Sequence, residues 1–194
     1  MVMRCRKSNI KRFFAIVLLC ILANITRAQD RQWYVPDGAV MQYAGNIGTL
    51  SAGPYWSYGK NDRWETHVLG GFVKGRNDVN TAATITLKET FSPVQWLYAS
   101  ASCNLISGSQ YWLHEPDKYN HGDYYRFSSR VRFGLGVGGK VRVTPQHLGC
   151  KWIKEAKVYG EFNTYDLALR YAICNKSVDL FDIISLGLGV QIRF

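Results

Sequence analysis

The chain has 194 residues, 24 of them Lys or Arg and 14 Asp or Glu, for a formal net charge of +10. Six of the basic residues and none of the acidic ones fall in the first 28 positions, so residues 29 to 194 carry 18 basic against 14 acidic side chains, a net of +4. The basic excess belongs mainly to the leader, which removes the compositional argument for a nucleic-acid partner, because that needs a basic stripe on the folded domain.

Arg4, Arg6, Lys7, Lys11 and Arg12 precede an uncharged apolar run from Phe13 to Ile25, followed by Thr26, Arg27 and Ala28. This is the pattern of a secretory signal peptide over residues 1 to 28, with cleavage expected after Ala28. The apolar run is thirteen residues, against the roughly 20 that a helix needs to span a bilayer. Cys20 follows Leu18 and Leu19, where a lipidation signal wants a small residue, so a lipid anchor is the weaker alternative. Residues 29 to 194 are expected to form one domain. Its three cysteines, Cys103, Cys150 and Cys174, are too few and too scattered for a disulfide framework, and their pairing stays open.

Beyond the leader no stretch reads as a transmembrane helix, and capped helical patterns are scarce. The chain instead runs in period-two segments separated by turn residues. Val40 to Ile47 is the first candidate strand, bent or turned near Gly45 and Gly48, and Thr49 to Gly59 is the second. Trp64 to Val73 follows across a turn at Lys60 to Arg63, then Ala82 to Phe91, with Ile85 and Leu87 against Thr84, Thr86 and Lys88. Leu97 to Ser107 comes next, after Ser92 to Gln95.

The clearest alternation is Ser128 to Val143. Val131, Phe133, Leu135, Val137, Val141 and Val143 share one parity, and Arg130, Arg132, Gly134, Gly136, Gly138, Lys140 and Arg142 the other. In Ile153 to Asn163, Val158, Gly160 and Phe162 oppose Glu155, Lys157, Tyr159 and Glu161. Ile183 to Phe194 closes the chain with Ile184, Leu186, Leu188, Val190, Ile192 and Phe194 on one face and Ser185, Gly187, Gly189, Gln191 and Arg193 on the other.

This last strand, with its alternation and terminal Phe, resembles the closing strand of bacterial outer-membrane β-barrel proteins, in which the final aromatic is read by the assembly machinery. With the leader and the other alternating segments, the resemblance extends over residues 29 to 194. It implies an all-β, antiparallel, transmembrane up-and-down barrel in the bacterial outer membrane. Such barrels have even strand numbers, which makes eight the expected count, with Val40 to Ile47 as the eighth strand. Asp166 to Ile173 is its rival, and ten strands is the competing count.

Eight strands starting from the periplasm put Lys60 to Arg63, Ser92 to Gln95 and Thr144 to Trp152 at periplasmic turns. Gly75 to Asn80, Gly108 to Tyr125 and Thr164 to Asp182 become outer loops. Tyr55, Trp56, Tyr58, Trp64, Phe91, Trp96, Tyr98, Tyr124, Tyr125 and Trp152 are expected in the two interfacial girdles. A soluble barrel or sandwich is the structural rival. Its apolar parity would face inward, and alternation alone does not separate the two.

Three patterns bear on chemistry. Gly134, Gly136, Gly138 and Gly139 look like a dinucleotide fingerprint, but that motif works where a strand turns into a helix. Here the strand continues to Val143, so the glycines are expected to make room for large interior side chains. His114, Glu115 and His121 share a loop with Pro116 and Gly122 and lack the helical spacing of a metal pair, so no metal or other cofactor is expected.

The third pattern is Glu65 and His67, two residues apart on one face, with Ser57 on the preceding strand of the hairpin. A carboxylate orienting a histidine that activates a serine is the plan of acyl transfer. Small barrels that trim or add acyl chains on lipopolysaccharide use such groups, which makes a lipid A or phospholipid acyl hydrolase or acyltransferase the alternative reading. Against it, no His-x-Ser motif of the lipid A 3-O-deacylases is present, and barrel interiors are full of partnered polar groups in any case. The leading expectation is a structural or surface-interaction protein, not a general pore. Its outer loop, with Tyr111, Trp112, Tyr119 and His121, would meet an extracellular protein or a glycan, and its wall would meet outer-membrane lipid.

Overall fold

The computed structural model describes residues 34–75, 80–108, 111, 129–143, 153–174 and 183–194. Eight strands run in chain order: β1 (Gly38–Ala44), β2 (Leu50–Tyr58), β3 (Trp64–Val73), β4 (Ala82–Val94), β5 (Leu97–Ser107), β6 (Val131–Val143), β7 (Glu155–Tyr165) and β8 (Ser185–Arg193). Each pairs antiparallel with its chain neighbours. β1 closes on β8 from Gly38↔Arg193 to Ala44↔Gly187, which completes an up-and-down barrel with no free edge.

The rival candidate strand, Asp166 to Ile173, is instead a helix, α1 (Asp166–Cys174). Of its nine residues only Ile173 is β-branched, while Leu167, Ala168, Leu169, Arg170 and Ala172 are good helix formers. Asp166 stands in the first turn, where a negative charge suits the helix dipole, and Ala168 is buried. β1 therefore takes the eighth place. It ends one residue short of the bend, at Ala44, where Ala44, Gly45 and Gly48 all have positive φ.

The two parities separate along most of each strand, with Val40 and Leu69 as large aliphatic residues buried on the inward strand faces. Ile85, Leu135, Val141 and Phe162 on the outer wall are 57–67% exposed, whereas Gln42, Thr86 and Lys88 inside are 0–1% exposed. The apolar parity faces outward and the polar one inward, opposite to the soluble arrangement. Tyr55 and Tyr98, expected in a girdle, are buried in the lumen. They share parity with Ser51, Ser57 and Ser100, and that alternation overrides the interfacial preference of a tyrosine.

The glycines on the inward parity make the space these rings occupy. A Cβ on Gly138 would lie 2.4 Å from Tyr98 Cζ, and one on Gly189 would lie 2.3 Å from Tyr159 Cζ. Each ring thus covers a bare stretch of backbone on the neighbouring strand. At the end opposite Gly38 and Phe194, which mark the terminal end, the link between β1 and β2 folds inward. Ile47 is buried there, and its carbonyl accepts hydrogen bonds from Ser51 Oγ (3.0 Å) and Thr84 Oγ1 (3.1 Å). At the terminal end, Lys60–Asp62 make a single 3-10 turn, and β4 and β5 meet at Gln95 and Trp96 after a register irregularity between Phe91 and Val94.

Candidate functional site

Strand parity places a set of charged side chains on facing walls of the lumen, and an eight-stranded barrel is just wide enough for them to meet. Lys88 from β4 reaches across to Glu161 on β7, with Nζ 2.5 Å from Oε2, and donates to Gln42 Oε1 on β1 at 3.1 Å. Its ammonium lies 5.4 Å from the Tyr159 ring centre and 5.9 Å from that of Tyr98. Tyr98 donates to Glu161 Oε2 at 2.9 Å and Asn163 Nδ2 donates to Oε1 at 3.2 Å, so both carboxylate oxygens are held. Nearer the termini, Glu65 accepts from Lys140 at 3.1 Å and Lys157 at 3.3 Å.

The cationic face expected on β6 finds its partners here. Lys140 meets Glu65, Arg142 pairs with Glu155, Arg132 lies 3.8 Å from Asp166, and Arg130 Nε donates to the Tyr111 carbonyl at 2.9 Å. Buried charges persist only where each is paired and hydrogen-bonded, and this interior meets that condition. The space left among Glu65, His67, Lys88, Tyr98, Lys140 and Tyr159 is about 10 Å³, room for roughly one water. It is far short of a ligand pocket, which takes about 300 Å³ or more.

The barrel brings Glu65 and His67 together and leaves Ser57 apart. His67 Nε2 lies 3.6 Å from Glu65 Oε2, and its ring faces that of Tyr55 with centres 5.7 Å apart. Neither ring nitrogen of His67 has a hydrogen-bond partner. In the β2–β3 register Ser57 stands opposite Glu65, and His67 opposite Tyr55. Ser57 Oγ donates to Asp37 Oδ2 at 2.8 Å and accepts from Arg193 Nη2 at 3.4 Å. The hydroxyl is therefore turned toward the β1–β8 seam, and His67 is sealed among aromatic and charged neighbours.

Of the outer-loop residues, Tyr111 joins its amide to the Gly108 carbonyl at 3.1 Å and anchors Arg130 through its own carbonyl. Trp112, Tyr119 and His121 lie outside the described residues, as do His114, Cys150 and the stretch 144–152. No group of three metal-ligating side chains occurs among the described residues.

Two further clusters involve residues outside the patterns singled out in the sequence. At the barrel's terminal end Asp37, Ser57, Asp62 and Arg193 form a clasp, with Arg193 Nη1 2.8 Å from Asp62 and Nη2 3.6 Å from Asp37. The clasp depends on Asp37, which precedes any alternating segment. On the outer wall Glu89 accepts from the hydroxyls of Tyr58 and Thr66. Its signal was present in the sequence, as a carboxylate on the parity of Ile85, Leu87 and Phe91. Comparison with protein-family models and with curated proteins finds no match.

Proposed function

We propose that this chain is an outer-membrane β-barrel protein of structural or surface-interaction type, closed to general diffusion and acting through its outer loops. The observation that carries the reading is the sorting of the wall: large apolar side chains point outward all round a barrel whose interior is polar. A wall of this kind needs an apolar solvent, and an exposed apolar surface of this extent is a liability in water. The lumen is filled by its own ion pairs, which leaves no path for solutes. The two longest links, residues 108–130 and 166–184, both leave the end opposite Gly38 and Arg193, which would be the outer side of such a barrel.

Reconstitution of the mature chain into planar bilayers tests the closed lumen. Folded, inserted protein is expected to give no stepwise conductance, and regular steps would overturn that part of the reading. Binding of nanodisc-embedded protein to arrayed glycans and matrix proteins tests the loops, with binding expected to fall when Trp112 and Tyr119 are replaced by Ala. The acyl-transfer alternative requires Ser57 to leave Asp37 and His67 to leave its enclosure, so no feature of the geometry favours it. Lipid A from cells with the chain, without it, and with His67→Ala is expected to have one mass spectrum. An acyl-chain difference that vanishes with His67→Ala would replace the structural reading with the enzymatic one.

A further inference from the structure

The outward-facing positions of the eight strands include one charged residue, Glu89. It stands between Thr66 on β3 and Ala101 on β5. Thr66 Oγ1 donates to Oε2 at 2.6 Å, the Tyr58 hydroxyl donates to Oε1, and the two hydroxyl oxygens are 3.0 Å apart. This is a carboxylate fixed by two donors from two other strands, with about half of its roughly four lone-pair sites still open. Among the described residues no Lys or Arg lies within ion-pair range of it. The interior carboxylates Glu65, Glu155 and Glu161 all have such a cation.

We propose that Glu89, held by Tyr58 and Thr66, is a site for the primary ammonium headgroup of a phospholipid at the terminal end of the wall. The proposal rests on the reading that the wall faces lipid. Three features select this occupant. The charge missing beside Glu89 is positive. The depth is that of a headgroup, since the next outward pair toward the termini is Trp64 and Phe91, whose ring centres are 4.7 Å apart, and aromatics of this kind settle at the interface. The neighbouring outward positions on β5, Ala99 and Ala101, are small and leave a shallow strip beside the carboxylate for the lipid's glycerol and acyl chains. A primary ammonium has N–H groups to give to the open lone pairs. A trimethylammonium has none, and a phosphoglycerol headgroup has no cation.

The test is native mass spectrometry of the mature chain, refolded in micelles and titrated with phosphatidylethanolamine, phosphatidylcholine and phosphatidylglycerol of matched acyl chains. One phosphatidylethanolamine is expected to be retained about tenfold more strongly than either of the others, the scale of one charge-assisted hydrogen bond. Glu89→Gln is expected to reduce it to the phosphatidylcholine level, and Thr66→Val to lower it in part. Heat-modifiable gel mobility verifies that each variant is folded. Equal retention of the three lipids by folded wild-type chain, or full retention by folded Glu89→Gln, would overturn the site. So would a wild-type dimer that Glu89→Gln dissociates, since the cation would then come from a second copy. Insertion into vesicles is scored separately: a chain that stays out removes the membrane reading itself, whereas one that inserts and binds the lipids alike removes this site alone.

Discussion

Replacing Lys88 by Met keeps the length of the side chain and removes its charge. The lost contacts are the 2.5 Å pair with Glu161, the 3.1 Å hydrogen bond to Gln42, and the approach to the Tyr98 and Tyr159 rings. Glu161 is then a buried carboxylate without a cation, and breaking a buried pair from one side costs about 3–5 kcal/mol. Tyr98 and Asn163 still donate to Glu161, which places the expected loss near the lower end, at about 3 kcal/mol. Glu161→Gln leaves Lys88 with Gln42 and two ring faces, and its expected cost is smaller, about 2 kcal/mol. The double variant has neither charge to bury, so its expected cost is about 2 kcal/mol and the coupling between the sites about 3 kcal/mol. Urea titration of refolded protein in vesicles, followed by tryptophan fluorescence, measures all three. Additive costs, or a Lys88→Met loss below about 1 kcal/mol, would refute the claim that this pair organises the lumen.

The wall, the glycines and the seam each make a further prediction. Leu135→Arg on the outer wall is expected to cost about 2–4 kcal/mol in bilayers, the range for a midplane arginine, against a change within about 0.5 kcal/mol for an ordinary water-facing position. Gly138→Ala puts a methyl 2.4 Å from Tyr98 Cζ and is expected to cost about 1–3 kcal/mol. Gly70→Ala, which meets nothing within 4 Å, is expected to leave the urea midpoint unchanged, and equal effects of the two would contradict the role given to Tyr98. Arg193→Ala frees the clasp on Asp62 and Asp37 and is expected to reduce hydrogen-exchange protection of β1 more than of β4. Uniform loss across both strands would show that the clasp does not act locally on the seam.

Most strands were legible because they carry an alternation bounded by turn residues, whereas β1, with Val40 on its inward face, was expected mainly from the even strand count. For Trp64–Val73 and Leu97–Ser107 the observed bounds are those expected from the sequence. β4 outruns its expected end at Phe91 because Ser92 is still buried inside and pairing resumes at Val94↔Leu97, although Ser92-Pro93 reads locally as a turn. Asp166–Cys174 alternates as well as a strand does, and its single β-branched residue, its run of good helix formers and Asp166 in the first turn are what favour the helix. Alternation alone is symmetric under exchange of the two faces, and it was the like-charged face of Arg130, Arg132, Lys140 and Arg142, together with the terminal Phe194, that pointed to a polar interior. The isolation of Ser57 was hidden: it depends on Asp37, twenty residues away, meeting it across β1 and β2.

The most direct test of the outward apolar wall uses spin labels on Leu87→Cys, Leu135→Cys and Leu188→Cys, with the inward Thr86→Cys for comparison, in protein reconstituted into liposomes. Each label's collision rate is read with oxygen, which concentrates in lipid, and with a water-soluble nickel chelate, which does not enter it. High oxygen and negligible nickel accessibility are expected at the three outward positions, and low accessibility to both at position 86. Outward labels that collide freely with the nickel chelate would contradict this expectation, because the apolar wall would then face water.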